Sequence, residues 1–429
     1  MLRAAGAKDR TVYLLFHFPG SIVEFKEGSY FSTEGIPRVM RKLVHAILRT
    51  TDLSITVTCT RDNLTNTLGF FAQEEPSSRG RLQFLVIDDP GLFRQAPSGP
   101  ASAGPGPSRR TITGLVRRIL TGASVRFWRW RTAARINADE AVHSVLVPHY
   151  YCFPEAALMR HAIWLYVPDF IPHFFQNRFD SLADRWNRWV GSRLSRRAAR
   201  IITNSQFTRA YLPATALGAP ANRIAVLPLP LLTPRFEPEP GVGGEGKIAG
   251  RYLFYPTQNR ANKNLDFALG VLHELRKTDP GLRLVLTCRI NDYPPMAAAL
   301  RDLGLAAHVD LRPSLADGAL RRMYENAEAL LFTSSFEGNF PPQVFEALSA
   351  GIPVIASDIP MIREVLGEAS DALELVRPLD LEAFVAQARA VLNDRKAALI
   401  RQAAAYVALQ AKAGEQPFFD AVESLYRMP

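Results

Sequence analysis

The feature that most constrains the fold of this chain is a repeated alternation between short, strongly apolar runs and longer amphipathic stretches. A strand of a parallel sheet is buried on both faces and reads as a continuous apolar run, whereas a helix that covers the sheet is apolar on one side only. The alternation therefore predicts βαβ units and an α/β fold with parallel sheets. Strand-like runs lie at 12–18, 55–59, 84–87, 143–147, 163–167, 201–203, 252–255, 282–287, 329–333 and 353–356, and helix-like stretches at 39–48, 265–275, 316–326, 342–350 and 360–367.

Two segments rich in proline and glycine interrupt the alternation. Residues 95–108 (QAPSGPASAGPGPS) predict a mobile loop, and residues 234–250 predict a linker between two domains. The predicted domains are therefore 1–233 and 251–410. The linker contains a GxGxxG pattern, but prolines precede it where a dinucleotide site needs a strand, which disfavours an NAD-dependent oxidoreductase.

Composition is that of an ordinary globular protein, with 47% apolar and 21% charged residues. The three cysteines, Cys59, Cys152 and Cys288, are too widely spaced for a zinc ribbon or a disulfide framework, so buried thiols in a reducing compartment are expected. The apolar run at 12–18 is short and lacks a following cleavage site, and no apolar run reaches the roughly 18 residues that a membrane-spanning helix needs. The expected location is cytoplasmic.

The net charge of +10 is concentrated in two segments. Residues 90–138 contain nine arginines and no acidic residue, and residues 176–209 contain eight arginines and two aspartates, so the rest of the chain is net acidic. Local basic patches attract polyanions or an anionic membrane surface. No nucleic-acid-binding module accompanies these patches, so nucleic acid is not an expected partner.

Within the first of these segments, residues 109–135 predict a basic amphipathic helix. Its apolar residues cover one arc of a helical wheel and most of its arginines cover the other side. Such a helix with aromatic residues is typical of peripheral attachment to an anionic surface, here the inner face of the cell membrane; the alternative is a helix packed on the sheet with a solvated basic face. The apolar arc holds Ile112, Leu115, Val116, Ile119, Leu120, Ala123, Phe127 and Trp130, and the basic side holds Arg117, Arg118, Arg129, Arg131 and Arg135.

Two carboxylates mark the strongest candidate site. Glu337 follows a predicted strand, at the sheet edge where α/β folds bind ligands, and Glu346 lies about one turn into the next helix. Such a pair suits bidentate hydrogen bonding to vicinal hydroxyls of a sugar or ribose, and the loop amides of Gly338, Asn339 and Phe340 can meet an anion. The alternative is two solvated acids around a helix start, where acids are favourable in any case.

A second candidate lies in the polar loop after the strand-like run at 252–255. Arg260 and Lys263 occupy this loop, and a helix follows at once. Phosphate binding uses this combination of loop amides, a helix N-terminus and one or two cations. A solvated loop is the alternative.

Residues 334–357 resemble the signature EGFG-x-P-x-x-EA-x-x-x-G-x-P-V-I-x-S of the retaining GT-B glycosyltransferases of glycosyltransferase family 4. One departure is that eight residues separate Glu337 from Glu346 where the family has seven, and the extra residue falls near Asn339. The resemblance implies two Rossmann-like domains facing a cleft, with a nucleotide-diphospho-sugar in the C-terminal domain and the acceptor in the N-terminal one. It also implies that a helix in 411–429 crosses back to the N-terminal domain.

Further matches to the family are weaker. Lys263 matches the family's diphosphate site, but Gln258 stands where the family has arginine, so Arg260 is a proposed substitute. Gly35 lies in a stretch that resembles the Gly-Ile-x-Arg loop, which approaches the donor phosphates. His149 ends a predicted strand and is a candidate to face the cleft, although a lone histidine is more often structural.

The implied reaction is transfer of a hexosyl group to an acceptor hydroxyl with retention at the anomeric carbon. The implied catalytic residues are Glu337, which orients the donor sugar, Lys263, which holds the diphosphate, and His149. The implied donor-binding residues are Arg260 at the diphosphate, Glu346 at the ribose, Gly338, Asn339 and Phe340 in the loop, and Gly35 from the opposite domain. The chain has no DxD motif, so neither a metal nor another cofactor is expected.

By analogy with the family, the expected donor is GDP-mannose, and the expected acceptor is a cell-surface polysaccharide or its lipid-linked precursor. Two alternatives stay open. One is a non-catalytic GT-B protein that binds a nucleotide sugar, because the spacing between the glutamates is altered. The other is a membrane-surface scaffold that uses residues 112–135.

Overall fold

The computed structural model of the chain describes residues 10–17, 35–71, 80–87, 127–150, 153–170, 182–214, 217–231, 248, 250–290, 294–313, 315 and 317–427. Three predicted features lie wholly or largely outside these residues. They are the loop at 95–108, the part of the basic segment before residue 127, and the linker at 234–250 apart from residues 248 and 250. Cys152 also lies outside them.

The N-terminal half forms a seven-stranded parallel sheet in the order β3-β2-β1-β4-β5-β6-β7. The strands are β1 Thr11–Leu15, β2 Ser54–Thr60, β3 Leu82–Ile87, β4 Val142–Val147, β5 Ile163–Tyr166, β6 Arg200–Thr203 and β7 Ile224–Val226; the helices are α1 Gly35–Thr50, α2 Leu64–Phe71, α3 over residues 127–137, α4 Leu182–Arg197 and α5 Gln206–Tyr211.

The C-terminal half forms a five-stranded parallel sheet in the order β10-β9-β8-β11-β12. Two parallel-sheet domains are thus present, and the predicted α/β class is confirmed. The strands are β8 Tyr252–Tyr255, β9 Arg283–Leu286, β10 Val309–Leu311, β11 Ala329–Phe332 and β12 Val354–Ala356; the helices are α6 Leu265–Arg276, α7 Pro294–Asp302, α8 Asp317–Glu325, α9 Pro342–Ser349, α10 Pro360–Leu366, α11 Leu381–Asn393, α12 Arg395–Lys412 and α13 Gln416–Arg427.

The strand order reverses between β1 and β4 in the first sheet and between β8 and β11 in the second. The connections from the two strands at such a switch point leave in opposite directions, which opens a crevice at their carboxyl ends. The loops that follow β8 and β11 carry Lys263 and Glu337, so the fold brings both sequence motifs to one crevice.

Each sheet has its own hydrophobic core, and the end of the chain belongs to the first one. Helix α13 packs against α1 and contributes Phe418, Phe419 and Tyr426 to the N-terminal core. The Tyr426 ring lies 4.2 Å from the ring of Trp164 on β5, measured between centroids. The polypeptide therefore returns to the N-terminal domain after completing the C-terminal one.

Element ends differ from the sequence predictions by a few residues. Strand β1 ends at Leu15 and not at residue 18, because the Phe16 N–H donates to the Thr58 hydroxyl at 3.0 Å and leaves the ladder. Helix α1 begins at Gly35, four residues before its predicted start; Pro37 fits its first turn, where no intrahelical N–H partner is needed. Cys59 and Cys288 are buried free thiols, and burial raises the pKa of Cys59 to about 11. None of the helices in the described ranges is long and apolar enough to cross a membrane.

Candidate functional site

The loops after β8 and β11 are joined by hydrogen bonds. The Asn262 carbonyl accepts the Ser335 N–H at 2.9 Å, and the Asn262 side-chain amide donates to the Phe336 carbonyl at 2.8 Å. Two residues further along the chain, the Asn264 side-chain amide donates to the Thr333 carbonyl at 2.9 Å. Asn262 is fully buried, so these bonds are shielded from water and hold the two loops in a single arrangement.

Asn264 forms the bend between the short turn that carries Lys263 and the helix that follows. Its backbone is left-handed, with φ 50° and ψ 50°, a conformation that asparagine tolerates better than most residues with a side chain. The kink separates the short 3₁₀ turn Ala261–Lys263 from α6. The Thr333 hydroxyl fixes the turn by donating to the Lys263 carbonyl at 3.0 Å.

The two predicted charged residues of this crevice meet directly. The Lys263 Nζ donates to the Glu337 Oε1 at 2.5 Å, and the two side chains are only 12% and 14% exposed. Loss of hydration makes each charge dependent on the other in the absence of a ligand. An anion that binds Lys263 must therefore compete with Glu337 or share the ammonium group with it.

Glu346 is held by a tyrosine. The hydroxyl of the fully buried Tyr324 donates to the Glu346 Oε2 at 2.6 Å. Burial, and secondarily the charge of Glu346, raises the pKa of Tyr324 well above its usual value, so the phenol keeps its proton and remains a donor. Glu346 lies on the second turn of α9, and the hydrogen bond from Tyr324 holds its Oε2 in place.

The residues of the loop between Glu337 and Glu346 differ in burial. Asn339 is half-buried, whereas the Phe340 ring is 3% exposed and belongs to the C-terminal core. The expectation that Phe340 lines the donor is therefore restricted to its backbone. A Cβ at Gly338 would lie 2.5 Å from the Pro168 carbonyl oxygen and 2.6 Å from the Asp169 Cβ, so glycine is what allows this loop to touch the N-terminal domain.

The remaining predicted residues occupy three other positions. Arg260 is exposed and directly precedes the 3₁₀ turn, and Gly35 is the first residue of α1. His149 follows β4, with its ring stacked 4.8 Å from that of Tyr150. Loss of hydration lowers the pKa of His149 to about 4, so its imidazole is neutral at neutral pH and serves as a hydrogen-bonding group rather than as a cation.

A buried network at the N-terminal switch point was not predicted from the sequence. His17, just after β1, contacts the Thr58 hydroxyl at 2.6 Å through Nδ1 and the Glu155 carboxylate at 2.8 Å through Nε2. The second Glu155 oxygen lies 3.7 Å from the Nε of Arg129 on α3. Arg129, predicted on the basic side of the helix, is 31% exposed and turns its guanidinium toward this buried acid.

The two domains also contact each other beside the Gly338 loop. The Glu364 carboxylate on α10 accepts the backbone N–H of Gln206 at 2.7 Å and that of Phe207 at 3.1 Å, at the start of α5. The rings of Phe207 and Phe336 lie 6.0 Å apart. In the part of the chain that the structure covers, no cluster of three or more His, Cys, Asp or Glu side chains could hold a metal ion.

The sequence of the chain is similar to those of known glycosyltransferases. Residues 249–407 match the family model for glycosyl transferases group 1. The chain is 25% identical over 215 residues to the MMP alpha-(1->4)-mannosyltransferase of Mycolicibacterium hassiacum, covering 48% of this chain and 50% of that protein. It is 31% identical over 151 residues to the GDP-mannose:cellobiosyl-diphosphopolyprenol alpha-mannosyltransferase of Xanthomonas oryzae, covering 34% of this chain and 39% of that one. The matches thus span half or less of these relatives.

The fold as a whole is matched over nearly the full chain. A crystal structure of HepE from Anabaena, in complex with UDP and glucose, superposes with a TM-score of 0.63 and covers 98% of this chain and 100% of that one, at 14% identity. At this identity the likeness shows the fold alone. The C-terminal domain therefore resembles the glycosyl transferases group 1 in sequence, within a chain whose two domains together have the GT-B fold.

Proposed function

We propose that this chain is a retaining glycosyltransferase that moves a hexosyl group, mannose, from GDP-mannose to an acceptor hydroxyl of a polysaccharide or its lipid-linked precursor. The observation that carries the proposal is the Lys263–Glu337 pair at the switch-point crevice of a group 1 domain. Two relatives named as mannosyltransferases support the sugar, and one of their names specifies GDP-mannose and a diphosphopolyprenol-linked acceptor.

The chemical demand is stabilisation of a diphosphate leaving group. The bond between the anomeric carbon and the phosphate oxygen breaks, a bond to the acceptor oxygen forms on the same face of the sugar, and the hydroxyl proton is released. The Lys263 ammonium neutralises the charge that develops on the diphosphate, and Arg260 is the second cation near it. Fixed positive groups of this kind act without reorganising at the moment of reaction.

The carboxylates orient the donor. Glu346, held by Tyr324 through Oε2, accepts the ribose hydroxyls, and Glu337 accepts a hydroxyl of the transferred sugar. Asn339 and the Phe340 backbone complete the donor side. His149 and Gly35 contribute from the opposite domain, with His149 acting as a neutral hydrogen-bonding group.

The first test compares two lysine variants of the same domain. Lys263→Ala should lower transfer from GDP-mannose by at least about 100-fold, because the leaving group loses its principal cation. Lys277→Ala is the matched control, since Lys277 is exposed and pairs with Glu274 on the outside of α6. Turnover is measured as GDP released in the presence of acceptor.

A thermal-shift screen with GDP, UDP and their sugar conjugates identifies the donor. Equal turnover by Lys263→Ala and wild type would remove the phosphate assignment. Binding of a nucleotide sugar without any transfer would assign the chain to the non-catalytic alternative.

A further inference from the structure

Two pairs of large aromatic side chains stand exposed on the N-terminal domain. On α3, Phe127 and Trp130 are 59% and 57% exposed, and their rings stack with centroids 6.0 Å apart. On α4, Trp186 and Trp189 are 56% and 47% exposed and stack at 4.9 Å. The spacing of three residues puts both rings of a pair on one side of its helix. We call these four residues the aromatic face.

The helices beneath this face are firmly seated, so the outward rings are not a sign of loose packing. Ala133 and Ile136 of α3 and Leu194 of α4 are almost wholly buried in the N-terminal core. The sequence pattern placed Phe127 and Trp130 on the apolar side of the helix, which was expected to face either a membrane or the sheet. The structure buries Ala133 and Ile136 instead and turns the aromatic pair outward.

Arginines surround the aromatic face. Helix α3 contains three arginines and no acidic residue, and helix α4 contains five arginines and one acidic residue, Asp184. Arg131, Arg185 and Arg193 are exposed, and the Arg193 guanidinium lies 4.5 Å over the Trp189 ring. The sequence adds five more arginines between 109 and 126, directly before α3.

Both helices are fixed to the same short element, the 3₁₀ helix Pro154–Leu158. The Asn137 side chain at the end of α3 donates to the Leu158 carbonyl at 3.1 Å, and Arg197 at the end of α4 donates to the Ala157 carbonyl at 2.5 Å. Leu158 is itself 50% exposed. The two aromatic pairs are therefore carried by one rigid support.

We infer that the aromatic face, with Arg131, Arg185 and Arg193, is the surface by which this protein docks on an anionic membrane. Tryptophan is preferred at the boundary between lipid headgroups and hydrocarbon, and arginines near an anionic surface are attracted to it. The net positive charge of both helices complements such a surface. The inference rests on the proposed function in one respect: a lipid-linked acceptor would be presented at that membrane.

The test is co-sedimentation of the full chain with vesicles of phosphatidylcholine, with and without phosphatidylglycerol. Wild type should bind the anionic vesicles and be released as salt shortens the Debye length from about 10 Å at 0.1 M to about 3 Å at 1 M. Trp186→Ser with Trp189→Ser, and separately Phe127→Ser with Trp130→Ser, should each weaken binding by about tenfold. The matched control is Ile400→Ser with Val407→Ser, which removes two aliphatic side chains 67% and 62% exposed on α12 of the other domain.

Unchanged vesicle binding by both aromatic double variants would overturn the inference. Normal vesicle binding together with lost use of a soluble oligosaccharide acceptor would also overturn it and would assign the face to sugar. Circular dichroism and the thermal shift by GDP, measured on the same variants, show whether the fold and the donor site are intact. If wild type transfers no sugar but the aromatic variants still lose vesicle binding, the proposed function fails and the membrane surface stands.

Discussion

At the scale of single residues, the ion pair between Lys263 and Glu337 makes an opposite prediction for nucleotide binding and for catalysis. In Glu337→Gln the ammonium group no longer has a competing carboxylate, and the diphosphate no longer approaches a negative charge. The affinity for GDP should therefore rise by about two- to fivefold, the scale of one weak ion pair. Sugar transfer should fall, because the amide orients the donor sugar less well.

Isothermal titration with GDP and steady-state transfer assays on the same preparation check both halves of this expectation. A weaker affinity for GDP in Glu337→Gln would mean that the carboxylate supports the nucleotide rather than competing with it.

His149 carries a prediction about pH. Its folded-state pKa of about 4 lies below the usual value of 6.5, so the unfolded chain binds more protons between these values. The contribution of His149 to the free energy of unfolding is thus complete above about pH 6.5 and is lost as the pH falls towards 4. His149→Gln should show a smaller drop in stability over this window. Urea denaturation at pH 7, 5.5 and 4.5 measures the free energy of unfolding of both proteins. An equal loss of this free energy between pH 7 and pH 4.5 in wild type and His149→Gln would contradict the prediction.

Single residues also show how far sequence reasoning reaches. Lys263 and Glu337 each follow an apolar strand, and strand ends of a parallel sheet share one edge, so their common location was predictable. Their direct contact was not, because it depends on the left-handed turn at Asn264. The contact between His17 and Glu155 joins residues 138 apart, and no local pattern links them.

At the scale of elements, the loop that follows β11 is shaped by its contact with the segment after β5. Gly338→Ala would bring a methyl group to 2.5 Å from the Pro168 carbonyl oxygen, so the two domains would have to separate at this point. We expect the turnover number to fall by at least about tenfold while the affinity for GDP is kept, because the closed arrangement is needed for transfer and not for nucleotide binding.

The matched control is Gly69→Ala in α2, where a Cβ would have nothing within 4 Å. Kinetics and titration of both variants distinguish the outcomes. A normal turnover number for Gly338→Ala would show that the contact with Pro168 plays no part in the reaction.

Helix α3 shows why amphipathic patterns predict a helix better than they predict its orientation. The pattern separates apolar from charged residues and so groups Phe127 and Trp130 with the apolar arc, but it does not decide whether that arc faces the sheet or a membrane. In the structure the Arg129 Nε lies 3.7 Å from the buried carboxylate of Glu155 while Ala133 and Ile136 pack in the core, and Phe127 and Trp130 face outward. A buried charge supplied by a distant segment overrides local periodicity, and it cannot be read from residues 109–135 alone.

At the scale of the whole molecule, the presence of two parallel sheets follows from the alternation of elements, whereas the strand order and the path of the chain end do not. Helix α13 comes last in sequence but packs on α1, the first described helix, and its Phe418 lies in the N-terminal core. The chain thus passes between the domains twice. A donor bound in the C-terminal crevice and an acceptor bound to the N-terminal domain are held by lobes that the polypeptide connects at two points.

This path predicts which domain a given core substitution destabilises. Phe418→Ala and Phe384→Ala each remove a ring that is at most 2% exposed, and each should lower stability by about 3–5 kcal/mol. Phe418 belongs to the N-terminal core and Phe384 to the C-terminal core, although both follow the linker in sequence. Since a ligand stabilises the unit that binds it, GDP should raise the transition that Phe384→Ala lowers more than the one that Phe418→Ala lowers. Scanning calorimetry with and without GDP measures both, and a single transition that moves alike in the two variants would show that the cores unfold as one unit.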